Sequence, residues 1–282
     1  MDRVRAATGI EIEVISGTQE AYLLTRAVQT KVDLARGRSV LIDVGGGSVQ
    51  VVLVEDGQVI GADSYRLGAL RMLATLPDPA SSGESFVELL RQHLLGLERR
   101  IAGRFDGRRI DRYVAVGGNI ESLADLVGAR AALKTDLGVE ALDLATLQTE
   151  TMALAKLSIE ERIDKRGLKP DRADTIVPAG IVYVRIGELA GVEQVQVPRV
   201  GVKDGLLTEV LSGHGEAFTP EDHVDTILSA CRALGRRYHV EKEHAESVLR
   251  LSRQIFDQTR DLHGLGSRAD RKSTRLNSSH RT

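Results

Sequence analysis

The chain has 282 residues, with 38 Lys and Arg against 40 Asp and Glu for a formal net charge of −2, a length that at roughly 150 residues per domain suggests about two domains. Hydrophobic residues at 42% and charged residues at 28% describe an ordinary globular chain and exclude a disordered, collagen-like or membrane-spanning one, since no apolar run approaches the roughly 18 residues of a membrane helix. Aromatic residues at 3% without Trp argue against stacking platforms, the near-neutral charge gives no electrostatic case for nucleic acid, and the single Cys231 excludes an internal disulfide or a cysteine-rich zinc site.

In chain order, Met1 to Ala7 lacks the charged and apolar regions of a signal peptide, so a cytoplasmic setting is expected. Ile10 to Ile15 alternates branched apolar residues with Glu11 and Glu13, which predicts a strand. Thr18 to Ala35 carries Ala21, Leu24, Ala27, Val28 and Val32 at helical spacing, with Thr18 as the N-cap. Val40 to Asp43 reads as a short buried strand, Val49 to Val54 as the next, and Asp56-Gly57 as a hairpin turn returning through Gln58 to Tyr65. Helices follow over Ala69 to Leu76 and Phe86 to Ala102, separated by Pro77, Pro79 and Ser81-Ser82-Gly83. Tyr113 to Val116 is a strand that runs through Gly117-Gly118 into a helix over Ile120 to Val127. Ala141 to Arg166 reads as two helices broken near Ser158, Arg172 to Leu189 as one long helix containing Pro178, Val195 to Val197 as a strand and Lys203 to Leu211 as a helix. Alternating strands and helices define an α/β architecture.

From about Pro220 only helical periods remain, in Val224 to Tyr238 and His244 to Leu262. The division expected is therefore an α/β domain over 1–215 and the start of an α-helical one over 216–269. Residues 270–282, with Arg271, Lys272, Arg275 and Arg281 against Asp270, resemble a translated sequencing-library adapter and are set aside from the fold.

The chemistry sits at glycine-rich strand ends. Leu41-Ile42-Asp43-Val44-Gly45-Gly46-Gly47-Ser48 delivers a carboxylate into a glycine turn and then a hydroxyl. Successive glycines let backbone N–H groups converge on a phosphate, and Asp43 could hold the accompanying Mg²⁺. The stretch is neither a Walker loop nor a dinucleotide fingerprint, and a glycine-rich hairpin capped by its Asp explains it equally well. Gly117-Gly118-Asn119 places an anion-attracting helix start after a strand, although an ordinary tight turn is the commoner reading of such a pair. Glu20, early in its helix, is either a solvated carboxylate favoured by the helix dipole or a general base.

Taken together, Thr8 to Gly17, Glu20-Ala21, Ile42 to Ser48 and Leu67-Gly68-Ala69-Leu70-Arg71 resemble the exopolyphosphatase and guanosine pentaphosphate phosphohydrolase family. Arg172 to Gly180 and Val202-Lys203-Asp204-Gly205-Leu206-Leu207 extend the resemblance to about residues 8–265. It implies the actin-like and sugar-kinase-like fold, a ribonuclease-H-like lobe facing a second lobe across a cleft, with an α-helical HD-like extension. It also implies release of the terminal phosphate from polyphosphate or guanosine pentaphosphate with Mg²⁺, and a homodimer of the full-length parent is an expectation of the same kind. By the same resemblance Glu20 is the catalytic base, Asp43 and Gln50 are metal ligands, and Gly45, Gly46, Gly47, Ser48 and Arg71 contact phosphate; Gly117 and Gly118 are expected phosphate contacts on the ground of the helix start they open. A non-catalytic phosphate or nucleotide sensor is the alternative from another class, and a carbohydrate kinase on the same fold fits the motif order less well.

The chain departs from the family pattern at Gln50 and Gln19, both amides where glutamates are usual, and at Tyr22, where Arg is usual. The family also begins with a further lobe carrying its own phosphate loop, so the resemblance implies a piece truncated at both ends. His223, His239, His244 and His263 lack the His-Asp pairing of an HD metal site and read as surface or packing residues.

Overall fold

Three runs of branched apolar residues build one half of a sheet. In the computed structural model, which describes residues 2–12, 14–75, 83–128, 132–134, 138–211, 235 and 240–263, β1 (Arg38–Val44), β2 (Val49–Glu55) and β3 (Gln58–Tyr65) form an antiparallel meander. Asp56 and Gly57 turn the second hairpin at φ 48° and 79°, the positive-φ pair that an Asp-Gly turn accommodates. β1 pairs in parallel with β4 (Arg112–Val116), and β4 in parallel with β7 (Gln194–Val197). β5 (Ala132–Lys134) and β6 (Glu140–Asp143) continue antiparallel beyond β7, giving the order β3-β2-β1-β4-β7-β6-β5. Three meandering strands followed by two parallel ones are the ribonuclease-H-like arrangement.

Both faces of this sheet are covered, which is why its strands read as nearly continuous apolar runs. Val40, Ile42, Val44, Val51 and Leu53 point into one core and Leu41, Val52, Val54 and Val114 into the other. The first core is closed by α4 (Gly83–Phe105), α5 (Gly118–Val127), α6 (Leu144–Ala155) and α9 (Ile176–Ala190). α9 is buried on nearly every side, with eleven of its fifteen residues inaccessible, as befits a helix apolar all round. The second core is closed by α2 (Gly17–Gln29) with Val200 and Val202. The remaining helices of this unit are α1 (Asp2–Thr8), α3 (Ala69–Thr75), α7 (Ile159–Arg166), α8 (Pro170–Ala173) and α10 (Val202–Glu209). Contacts divide the chain into Met1–Ala230 and Cys231–Thr282.

Four expectations are corrected. Ile10 to Ile15 is not a strand: no ladder partner meets it among the described residues, and Ile10 and Val14 are 61% and 69% exposed. Alternation marks a segment able to pair, and pairing needs a neighbour. The N-cap of α2 is Ser16 rather than Thr18, because Ser16 Oγ accepts from the Gln19 N–H at 3.2 Å while Gln19 Oε1 accepts from the Ser16 N–H at 2.7 Å, a reciprocal capping box. Ala141 belongs to β6, not a helix, and Asp143 ends the strand and caps α6 through the Thr146 N–H at 3.0 Å. The single helix expected over Arg172 to Leu189 is broken at Asp174-Thr175, so Pro178 falls in the first turn of α9, where its missing N–H costs nothing.

The second unit, described by itself, holds helices Lys242–Gln258 and Arg260–His263, with the His263 ring against Phe256 at 4.2 Å between centroids. His223, His239, the helix expected over Val224 to Tyr238, the Pro77 to Ser82 linker and the adapter-like residues 270–282 lie outside the described residues. No described helix is long and apolar enough to cross a membrane.

Candidate functional site

The parallel strands β1 and β4 end side by side, with Asp43 paired to Val116 in their register. On its other side Asp43 faces Gln50 of β2, which faces Ser64 of β3, so these three side chains form one row across the sheet. Immediately after β4 the backbone turns through Gly117 at φ 98°, where a Cβ would stand 2.7 Å from Asp43 Oδ1. Only glycine allows this approach, since both the conformation and the space forbid a side chain. The Asp43 carboxyl is pushed up to about 6, first by burial and then by the charges of Glu20 and Glu121. Burial also raises Glu20. Among the described residues, no cation is ion-paired with Glu20, Asp43 or Glu121.

Glu121, in the first turn of α5, went unread in the sequence. The available signal was its position four residues after Gly117, one helical turn into the segment that the glycine pair opens.

The Gly45 to Ser48 turn is tied down by its carbonyls. Gly45 O accepts from the Ala69 N–H at 2.9 Å, Gly46 O from the Arg71 N–H at 3.1 Å and Gly47 O from Arg71 Nε at 3.2 Å. Gly68 makes this possible, because a Cβ there would overlap the Gly46 to Ser48 backbone. The Gly45 N–H closes the turn onto Ser48 O at 3.0 Å, so that N–H is spent within the protein. The N–H groups of Gly46 and Gly47 carry no partner among the described residues. Arg71 lies at the loop, where its Nε serves the loop backbone.

Gly118 opens α5, and a Cβ there would stand 2.6 Å from Arg172 Nη2. The guanidinium therefore lies over the second glycine turn. In the sequence Arg172 was only part of a motif; the fold makes it the cation of this loop. Beneath the loop, the buried Tyr183 hydroxyl donates to Val116 O at 3.1 Å, at the end of β4.

Glu20 is placed by helix α2. Gln50 Nε2 donates to Gly17 O at 2.9 Å, and Gly205 of α10 lets that helix meet the Leu23 carbonyl directly, since a Cβ there would overlap it. Arg26 Nε adds an ion pair to Glu209 Oε1 at 2.7 Å.

The donors at this row are all oxygen, the set a hard cation prefers. Gln50 Oε1 is buried without a hydrogen-bond partner, and among the described residues no cation is ion-paired with the raised Asp43 carboxyl. Among the described residues no three His, Cys, Asp or Glu side chains gather to hold a metal. Mg²⁺ usually takes one or two carboxylates and keeps waters and substrate phosphates as its other ligands, a demand that the Asp43 carboxylate and the oxygens beside it would meet.

The strand order, with the acidic, glycine-walled row at the strand ends, defines a ribonuclease-H-like lobe. Residues 1–214 match the Ppx/GppA phosphatase family, and the chain belongs to that family. It is 27% identical over 218 residues to exopolyphosphatase 1 of Mycobacterium leprae, spanning 77% of this chain and 64% of that protein. It is 24% identical over 262 residues to the guanosine-5′-triphosphate,3′-diphosphate pyrophosphatase of Aeromonas hydrophila, spanning 92% of this chain and 50% of that one. The crystal structure of an exopolyphosphatase from Cytophaga hutchinsonii superimposes with a TM-score of 0.61 at 24% identity, over 75% of this chain and 69% of the other. The chain thus spans between half and two thirds of the curated relatives named here.

Proposed function

We propose that this chain is the ribonuclease-H-like lobe of a Mg²⁺-dependent phosphoanhydride hydrolase that releases the terminal phosphate of inorganic polyphosphate. The observation that carries the reading is the cluster of carboxylates Glu20, Asp43 and Glu121 at the ends of β1 and β4, none of them ion-paired among the described residues, with Asp43 against the Gly117 turn. Glu20, raised by burial, is closer to neutrality than an exposed glutamate, which suits a base that must take a proton from water near neutral pH. Asp43 would hold the cation, which when bound neutralises phosphate charge. The free N–H groups of Gly46 and Gly47, the start of α5 and the Arg172 guanidinium supply the remaining positive potential around a transferring phosphoryl group, where positioning and electrostatics supply most of the catalysis.

The resemblance to guanosine pentaphosphate hydrolysis is carried by the Aeromonas relative and is the second reading. A cytoplasmic setting and a homodimer of the full-length parent belong to the same proposal, to be checked by fractionation and by sedimentation.

The test is phosphate release from polyphosphate and from guanosine pentaphosphate by the protein of the complete reading frame. Glu20→Gln is expected to lower kcat by about 10²–10⁴, the scale of lost general-base assistance, with the fold intact. Unchanged kcat in a folded variant would sink the assignment of the base, and wild type inert on both substrates would favour the sensor alternative.

A further inference from the structure

By family resemblance Gln50 occupies the place of a metal-binding glutamate, and the geometry assigns it further work. Its side chain is 3% exposed and stands in the middle of the Asp43, Gln50 and Ser64 row. Gly17 of α2 lies directly above this row, with space for a Cβ ending 4.0 Å from the Ser64 Cβ. From there Gln50 Nε2 reaches up to Gly17 O at 2.9 Å. That carbonyl begins the helix that carries Glu20 three residues on.

An amide can make this bond and an ionised carboxylate cannot. Glutamate presents acceptors only, and placing one against the Gly17 carbonyl would set oxygen against oxygen in a buried setting. The capping box holds the outside of the helix, where Gln19 Oε1 secures the Ser16 N–H, a bond that a glutamate would make equally well. The first turn of α2 is therefore held from outside by Gln19 and from the sheet side by Gln50.

We propose that Gln50 is a positioning residue, which through its amide NH2 fixes the N-terminal turn of α2, and hence Glu20, over Asp43. The proposal rests on the hydrolase reading only in naming Glu20 as the base; the pinning of α2 stands without it.

The test uses the 282-residue chain with Gln50→Met, which keeps the volume and loses the donor, and Gln50→Glu, which restores the family residue. Three quantities are read: amide exchange in the first two turns of α2 against that in α9, Mg²⁺ affinity by calorimetry, and, for the complete reading frame, kcat and KM on polyphosphate. Both variants are expected to speed exchange at Gln19 to Leu23 about five- to tenfold, the effect of losing one net hydrogen bond, with α9 unchanged. Gln50→Met should lose kcat with KM retained. Unchanged α2 exchange overturns the proposal, and coupled with a tenfold weaker Mg²⁺ affinity it would make Gln50 a ligand. If Gln50→Glu fails to fold, Gln50→Met alone decides. A wild type that releases no phosphate would remove the hydrolase reading and leave the exchange result standing.

Discussion

At the scale of single residues, the site is built at the expense of stability. An Asp43 carboxyl pushed up from 3.8 to about 6 binds its proton more tightly in the folded chain than in the unfolded one. Between about pH 4 and pH 6 the folded state therefore holds the extra proton, and stability falls as pH rises through that window. Above pH 6 the full cost is present, on the order of 2–3 kcal/mol for two pKa units of a partly buried group. Asp43→Asn should accordingly melt higher than wild type at pH 8 without Mg²⁺, and the gap should close near pH 4. Adding Mg²⁺ should raise the melting temperature of wild type and leave the variant nearly unmoved. Calorimetry across pH checks both; an Asn variant less stable at pH 8 would mean that the carboxylate is not held against its preference. Tyr183→Phe reads the support below: the Val116 carbonyl loses its partner, which should cost about 1–3 kcal/mol in urea unfolding. A cost within a few tenths of a kcal/mol would mean that the hydroxyl does not hold the end of β4.

At the scale of elements, glycines decide which helices approach closely enough to serve the site. Gly205 lets α10 touch the backbone of α2, whereas Gly96 in the middle of α4 has nothing within 4 Å of its missing Cβ and is exposed. The same substitution should therefore have opposite signs. Gly205→Ala should destabilise the chain by about 1–3 kcal/mol through overpacking, displacing α2 and lowering kcat with it. Gly96→Ala should stabilise by about 0.5–1 kcal/mol, the helix-propensity difference. Equal effects in denaturant unfolding would show that the α2 and α10 contact is slack. Elements were legible where local rules act alone: the Asp56-Gly57 hairpin, the strand at Val195, the break at Ser158. They were illegible where a neighbour decides. Ala141 pairs with Gln196 of β7, and no local pattern announces that partner; Ile10 to Ile15 has the pattern and lacks the partner.

At the scale of the molecule, the α/β class and the glycine-ended strands followed from periodicity, and Asp43, Gly117 and Gly118 were readable because glycine after a strand is a local signal. Arg172 and Glu121 converge on that point only through the packing of α8 and α5 around β4. The donor side of the glycine loop likewise depended on α3, which claims the carbonyls of Gly45, Gly46 and Gly47. What the fold leaves uncovered in the first unit leads to the last prediction. Ile10, Ile12, Val14 and Ile15 are exposed, outside any described helix or strand, and Leu206, Leu207 and Val210 are exposed on and just after α10. A segment that alternates like a strand, has no described partner and carries four branched apolar side chains is suited to intermolecular pairing. The isolated 282-residue chain should therefore self-associate with rising concentration. Ile10→Lys together with Ile12→Lys should suppress this, because charges on such a segment oppose pairing, without lowering the melting temperature, since neither side chain is buried. Sedimentation velocity from about 5 to 200 µM gives the answer: a wild type that stays monomeric throughout, or a double variant that associates equally, would show that this segment is not the adhesive surface.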